Sequence, residues 1–219
     1  EFHVGFNRLA EEFSLVSEAV KPVRGDLVVT VQVYGAVPAG EAITRGGASQ
    51  GDTILITGTP GDAGAGLACA LGRLDIPESE QEYLERRLNR PTPRVREGVA
   101  IRGRASAAID VSDGLIADLR HLTTASKVGA CLDVSKLPLS EPLRNCFDLE
   151  PSLGYALSSG DDYELLFTCA SEQTNVLQEH IESMGTRCTV IGFTESTPGI
   201  RLMGGEFSAL ENSGWEHFS

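Results

Sequence analysis

Short apolar runs and amphipathic stretches follow one another along this chain. Apolar runs rich in β-branched residues predict buried strands, which fall at residues 54–57, 107–111, 128–134, 163–169 and 188–192. Apolar residues three and four positions apart predict helices, which fall at 63–74, at 78–88, through Val95 and Val99, through Leu115, Leu119 and Leu122, and at 171–184. In the last helix we expect Val176, Leu177 and Ile181 on the inner face. This order predicts an α/β or α+β fold in which helices cover a sheet.

The beginning of the chain carries a pattern of its own. Helical spacing of apolar residues predicts a helix over 6–16, and strict alternation predicts a strand over 27–33. The segment 35–40 contains two glycines and a proline, which is typical of a turn or a short linker. We therefore place a domain boundary there, between an N-terminal unit of residues 1–38 and a second domain of residues 39–219.

The charge balance, the apolar content and the cysteines of the chain exclude some classes of function. The 219 residues carry 18 Lys and Arg against 31 Asp and Glu, a net charge of -13. This balance argues against a nucleic-acid partner, whose phosphates need clustered cations, but it leaves ATP open. No apolar run reaches the roughly 18 residues of a membrane span, and the first residues do not resemble a signal peptide. The five scattered cysteines favour buried thiols in a reducing cytoplasm over a disulfide or metal role.

A glycine-rich turn, residues 57–66, lies between a predicted strand and a predicted helix. Backbone N–H groups at the start of a helix can hold an anion. No Lys-Ser or Lys-Thr pair follows, so the turn is not a P-loop. A tight turn with close helix packing is the alternative interpretation.

The segment Asp110-Val111-Ser112-Asp113-Gly114 places two carboxylates and a hydroxyl where a strand ends and a helix begins. Mg²⁺ binds through one or two protein carboxylates and completes its shell with water and phosphate oxygens. Helix capping by Ser112 or Asp113 is the alternative, and it explains one of these residues better than three.

A second acidic segment, Gly160-Asp161-Asp162-Tyr163-Glu164, precedes another strand. A solvated turn would explain most of it, but Glu164 falls in an apolar strand, where an unpaired charge is costly. Arg45 or a bound cation would relieve that cost. Arg45 lies next to two glycines and could instead grip a phosphate with its forked guanidinium, or be an ordinary surface residue.

Three further features bear on the chemistry. Arg90 and Arg94 flank two prolines, and surface salt bridges would explain both. The four histidines show no metal-ligand spacing and form no nucleophilic triad. Trp215, the single tryptophan, would either pack the C-terminal tail or stack on a flat ring.

Together, residues 109–115, 160–167 and 57–62 resemble the thiamine-monophosphate kinase family, and residues 31–45 and 90–94 fit the same family in order and spacing. The resemblance implies a PurM-like architecture of two domains. In this chain it implies a largely complete C-terminal domain and only a remnant of the N-terminal domain, which binds ATP and forms a homodimer. The implied reaction transfers the γ-phosphoryl group of ATP to thiamine phosphate with the help of Mg²⁺.

The resemblance also assigns roles to individual positions. Asp110 and Asp113 would bind Mg²⁺, while Ser112 and Arg45 would contact the nucleotide. Asp161 stands where the family usually has a substrate-contacting Glu, and Trp215 matches an aromatic position that contacts thiamine.

The chain departs from the family near its start, where Lys21 occupies the position of a metal-binding Asp. Two alternatives therefore accompany the kinase interpretation. One is a catalytically incomplete fragment that binds nucleotide. The other is a different PurM-like enzyme, such as a selenophosphate synthetase or a purine-pathway synthetase.

Overall fold

A computed structural model describes residue 32 and residues 36–204 of the chain. The helices within this part are α1 Asp62–Ala70, α2 Glu78–Asn89, α3 Val95–Ile101, α4 Leu115–Ser126, α5 Glu141–Cys146, α6 Leu149–Ser158 and α7 Thr174–Ser183. The strands are β1 Thr53–Thr57, β2 Ala105–Asp110, β3 Gly129–Asp133, β4 Leu165–Cys169, β5 Cys188–Glu195 and β6 Ile200–Met203. Two short 3₁₀ turns occupy Val134–Lys136 and Ser171–Gln173.

The strands form one six-stranded sheet in the order β2-β4-β1-β5-β3-β6. Every neighbouring pair is antiparallel except β3 and β6, which run parallel. Because parallel pairing is confined to one edge, the architecture is the α+β form of the predicted class. The pairing brings the end of β2 next to the start of β4, which joins the two acidic segments noted in the sequence.

Both faces of the sheet are covered. Ile54 and Ile56 belong to the larger apolar core, which also contains the buried leucines of α4. Leu55, on the opposite face, packs in a second cluster with Phe167 and with Leu177 of α7. Since side chains alternate between the faces of a strand, β1 anchors both cores with three consecutive fully buried residues.

The structure confirms the predicted strands and helices of residues 54–192, with corrections at their ends. Helix α1 stops at Ala70 rather than 74, because Gly72 adopts a φ of 66° and the N–H of Arg73 closes onto the carbonyl of Ala68 at 2.9 Å. Strand β4 begins at Leu165 rather than 163. Val176, expected on the inner face of α7, is 46% exposed, whereas Leu177 and Ile181 are fully buried.

Two helices and one strand were not predicted. Helices α5 and α6 each carry a proline in the first turn, Pro142 and Pro151, which interrupts the apolar pattern yet is tolerated there. Strand β6 is a four-residue edge strand with alternating half-buried and exposed positions.

Several predictions lie outside the described residues: the helix at 6–16, most of the strand at 27–33, the substituted position Lys21 and the aromatic residue Trp215. The division at residues 38 and 39 stays a prediction. No helix within residues 36–204 has the length and apolar character needed to cross a membrane.

Candidate active site

The two acidic segments lie side by side where β2 ends and β4 begins. Past the last strand residues, the N–H of Val111 donates to the carbonyl of Glu164 at 2.8 Å, and the N–H of Tyr163 returns to the carbonyl of Val111 at 2.9 Å. The N–H of Asp161 then donates to the carbonyl of Ser112 at 2.9 Å. These bonds fix residues 110–114 against residues 160–164, and we call this pair of segments the acidic junction.

Three predicted site residues present carboxyl groups at the acidic junction. Asp110 and Asp161 are exposed, and Asp113 is half-buried. The hydroxyl of Tyr163, a side chain 42% exposed, lies 3.4 Å from the Oδ1 atom of Asp161. Burial raises the pKa of the Tyr163 hydroxyl, and the negative charges of Asp161, Asp110 and Asp113 raise it further. All three carboxylates are therefore close enough to one hydroxyl to act on it electrostatically.

The backbone of the second segment is unusual. Asp161 has a φ of 65° and Tyr163 a φ of 52°, both in the left-handed region that residues with side chains seldom adopt. Such conformations persist only where surrounding contacts hold them, and they concentrate at functional sites. This local geometry is also the reason why β4 begins two residues later than the apolar pattern predicts.

Ser112 is held through its backbone on both sides. Its carbonyl accepts the bond from Asp161, and its N–H donates to the carboxylate of Asp118 at 2.9 Å. Asp118, in the first turn of α4, is 2% exposed and was not singled out from the sequence. A signal was present, because position 118 falls on the same helix face as the buried Leu115 and Leu122. Burial raises the pKa of Asp118, and the N–H groups of Asp113 and Ser112 oppose that rise.

The glycine-rich turn is a packing turn, and its helix start is already occupied. The N–H groups of Gly61 and Ala63 donate to the buried carboxylate of Asp162 at 2.6 and 3.2 Å. A carboxylate from the chain itself thus takes the place that a bound anion would occupy at the start of α1. Of the two interpretations of this turn, the structure supports close packing.

Glu164 finds its partners in two arginines, and Arg45 is not one of them. The fully buried carboxylate accepts two hydrogen bonds from Arg94, at 2.6 and 2.7 Å, and one from Arg87 at 2.8 Å. The hydroxyl of Thr57 adds a bond of 2.7 Å. Arg94, itself half-buried, therefore belongs to an ion-pair network around a buried carboxylate rather than to a surface salt bridge. Burial alone would raise the pKa of Glu164, but Arg94, Thr57 and Arg87 outweigh it and lower the pKa below its usual value.

Arg45 lies apart from the acidic junction. Its side chain is exposed, and its carbonyl accepts a hydrogen bond of 2.8 Å from the hydroxyl of Ser126. Ser126 is the last residue of α4, whereas the acidic junction adjoins the first turn of that helix. The remaining predicted site residue, Trp215, lies outside the described residues.

The residues at the acidic junction suit a magnesium ion that is completed by phosphate oxygens. Within residues 36–204, no group of three or more His, Cys, Asp or Glu side chains is arranged to hold a metal ion by itself. Asp110 and Asp113 would supply the one or two carboxylates through which proteins usually bind Mg²⁺ alongside substrate phosphates. The hard oxygen donors and the exposure of Asp110 both fit that mode.

Both the sequence and the fold of this chain have known relatives. Residues 49–205 match the C-terminal domain of AIR synthase related proteins, and this chain belongs to that family.

Within the family, the chain is similar to thiamine-monophosphate kinases. It is 42% identical over 199 residues to the enzyme of Escherichia coli (strain K12), an alignment that covers 90% of this chain and 61% of that protein. A thiamine-monophosphate kinase structure from Stenotrophomonas maltophilia K279a superimposes with a TM-score of 0.72 at 40% identity, covering 77% of this chain and 55% of that one. A structure described as AaThiL complexed with AMPPCP and TMP gives a TM-score of 0.68 at 35% identity, covering 80% and 54%. The chain thus spans about 61% of the length of the first of these relatives.

Proposed function

We propose that this protein transfers the γ-phosphoryl group of ATP to the phosphate of thiamine phosphate, forming thiamine diphosphate and ADP. The observation that carries the proposal is the acidic junction. Its three carboxylates are brought together in a chain that resembles thiamine-monophosphate kinases over 90% of its length. A related structure holds AMPPCP and TMP, which supports both an adenine nucleotide and thiamine phosphate as substrates.

In this proposal Asp110 and Asp113 bind Mg²⁺, and Ser112 contacts the nucleotide. The metal would neutralise phosphate charge in the transition state, where phosphoryl transfer needs positioning and electrostatic stabilisation more than covalent chemistry. The left-handed backbone at Asp161 directs this segment against the β2 end, where Asp161 would contact the acceptor. Tyr163 lies beside Asp161 and would act as a neutral hydroxyl, because tyrosine keeps its proton at neutral pH and its pKa is raised further here.

Arg45 and Trp215 complete the proposed set, Arg45 at the ATP phosphates and Trp215 at the thiamine ring. Their support is the match to family positions in the sequence. We also propose a homodimer, which the family resemblance implies, and a cytoplasmic location, which the five scattered cysteines favour.

Product analysis tests this function. The 219-residue chain is incubated with Mg-ATP and either thiamine phosphate or unphosphorylated thiamine, and the products are separated by chromatography. We expect thiamine diphosphate from thiamine phosphate and no phosphorylated product from thiamine. If the chain is folded and binds ATP but forms neither product, the incomplete-fragment alternative is favoured, which is the interpretation that Lys21 suggests.

A further inference from the structure

Asp118 makes contacts that the proposed reaction does not use. Its Oδ2 atom accepts hydrogen bonds from the N–H groups of Ser112, at 2.9 Å, and Asp113, at 3.0 Å. The side chain is 2% exposed, so the carboxylate cannot reach a substrate in solvent. A buried carboxylate is costly unless it is hydrogen-bonded, and these two amides provide that stabilisation.

The two amides belong to the turn that connects Asp110 to Asp113. On its other side the same turn is tied to Asp161, whose N–H donates to the carbonyl of Ser112. Hydrogen bonds with α4 on one side and with the second acidic segment on the other therefore fix the peptide groups at Ser112. Their orientation determines how Asp113 is directed relative to Asp110, since only two residues separate them.

We infer that Asp118 is a positioning residue, which holds the turn so that Asp110 and Asp113 present their carboxylates to one metal ion. The inference rests on the proposed function for the identity of that ion. Mg²⁺ demands near-octahedral geometry, and Mn²⁺ accepts the same oxygen donors. Groups that orient the ligands of a metal ion typically account for about 10- to 100-fold in affinity.

Two substitutions of Asp118 distinguish a role in positioning the turn from an effect of its negative charge. Asp118→Asn removes the negative charge but keeps one oxygen where Oδ2 now accepts both bonds. Asp118→Glu keeps the charge but displaces the acceptor by one methylene. Positioning therefore predicts that Asn preserves the turn and Glu disturbs it, whereas an effect of charge predicts the reverse.

Asp118→Ala removes the acceptor, and Asp52→Ala is its matched control. Asp52 is also buried, at 7% exposure, and its Oδ2 accepts the N–H of Ser49 at 2.9 Å and the hydroxyl of Ser106 at 2.6 Å. It lies before β1, at the end of the sheet opposite the acidic junction. Both variants lose a buried carboxylate, but only one loses it beside the proposed metal ligands.

The experiment measures Mn²⁺ binding to the full 219-residue chain by electron paramagnetic resonance, together with hydrogen exchange of the Ser112 and Asp113 amides. We expect Asp118→Ala and Asp118→Glu to weaken Mn²⁺ binding by about tenfold or more and to speed exchange at both amides. Asp118→Asn should stay within about threefold of the unsubstituted chain, and Asp52→Ala should leave Mn²⁺ binding unchanged.

The outcomes are distinguishable. Unchanged Mn²⁺ affinity in Asp118→Glu, or an equal loss in Asp118→Asn and Asp118→Ala, would overturn the positioning role while leaving the proposed kinase intact. If Asp118→Ala does not fold, the Asn and Glu variants decide the question between them. If the unsubstituted chain binds no Mn²⁺, the metal site of the proposed function fails, and this inference fails with it.

Discussion

Consecutive side chains of the segment Asp161-Asp162-Tyr163-Glu164 have opposite roles. Asp161 and Tyr163 are exposed at the acidic junction, whereas Asp162 and Glu164 are buried and hydrogen-bonded. Asp162 accepts the amides at the start of α1, and Glu164 binds the two arginines. The buried pair therefore holds the exposed pair in its left-handed backbone conformation. This division of roles makes separate predictions for stability and for activity.

Glu164→Gln should destabilise the fold strongly. Arg94 and Arg87, whose side chains are 13% exposed, would lose their buried carboxylate partner, and breaking a buried ion pair typically costs about 3–5 kcal/mol. The lowered pKa of Glu164 means that its contribution is complete at neutral pH and is lost only as the pH falls through that lowered value. Urea denaturation at neutral pH measures the loss.

The matched control is Glu195→Gln, which breaks the exposed pair of Glu195 with Arg201, a bond of 2.8 Å. Exposed ion pairs contribute about 1 kcal/mol or less. Equal losses in the Glu164 and Glu195 variants would contradict a stabilising role for the buried network.

Asp162→Asn should change the pH dependence of stability. Burial raises the pKa of Asp162 to about 7, although the Gly61 and Ala63 amides oppose the rise. Between about pH 4 and that value the unfolded chain has lost the proton and the folded chain keeps it, so stability falls as the pH rises. The slope for this one group approaches about 1.4 kcal/mol for each pH unit and ends above about pH 7.

Comparison of unfolding free energies at about pH 5 and pH 8 tests this titration. The unsubstituted chain should lose about 2–3 kcal/mol more than Asp162→Asn over that interval. Parallel pH profiles would show that Asp162 keeps the same charge throughout the range.

Strands β2 and β4 build the acidic junction by continuing their pairing beyond their regular ends. That continuation requires a close approach at Gly160, where an added Cβ would lie 2.1 Å from the carbonyl oxygen of Ser112. The carbonyl oxygen of Ser112 is a backbone atom of the turn between Asp110 and Asp113, so it cannot move aside without shifting Asp113. The junction is therefore specified as much by the absence of a side chain at position 160 as by its acids.

Gly160→Ala should accordingly reduce the proposed kinase activity by on the order of 100-fold, because displacements of about 1 Å at a reacting centre have such effects. Gly154→Ala is the matched control, since a Cβ at that position of α6 meets no atom within 4 Å. The control should keep full activity and gain about 0.5–1 kcal/mol of stability from the better helix former. Full activity in Gly160→Ala would contradict the close approach.

Much of the fold and part of the candidate site could be predicted from the sequence. Apolar periodicity located the strands of both cores, and the spacing of Asp110 and Asp113 after a strand indicated carboxylates at its end. The partners of Glu164 could not be predicted, since 70 and 77 residues separate it from Arg94 and Arg87. The local pattern of apolar and polar residues does not specify which distant arginine pairs with a buried carboxylate. The one available signal was the presence of Arg87 three positions after the buried Leu84 on α2.

As a whole, the protein combines a net charge of -13 with proposed substrates that are themselves anionic. Carboxylates at the acidic junction would repel ATP and thiamine phosphate without a divalent cation between them. The proposed reaction therefore depends on Mg²⁺ for binding as well as for chemistry.

The most direct measurement is the rate of thiamine diphosphate formation from Mg-ATP and thiamine phosphate by Asp110→Asn, compared with the unsubstituted chain. The control is Asp75→Asn, an exposed aspartate in the loop between α1 and α2. Loss of a metal-binding carboxylate removes several kcal/mol of charge stabilisation, so we expect at least a roughly 100-fold loss in Asp110→Asn and none in the control. Equal rates in all three proteins would show that phosphoryl transfer does not take place at the acidic junction.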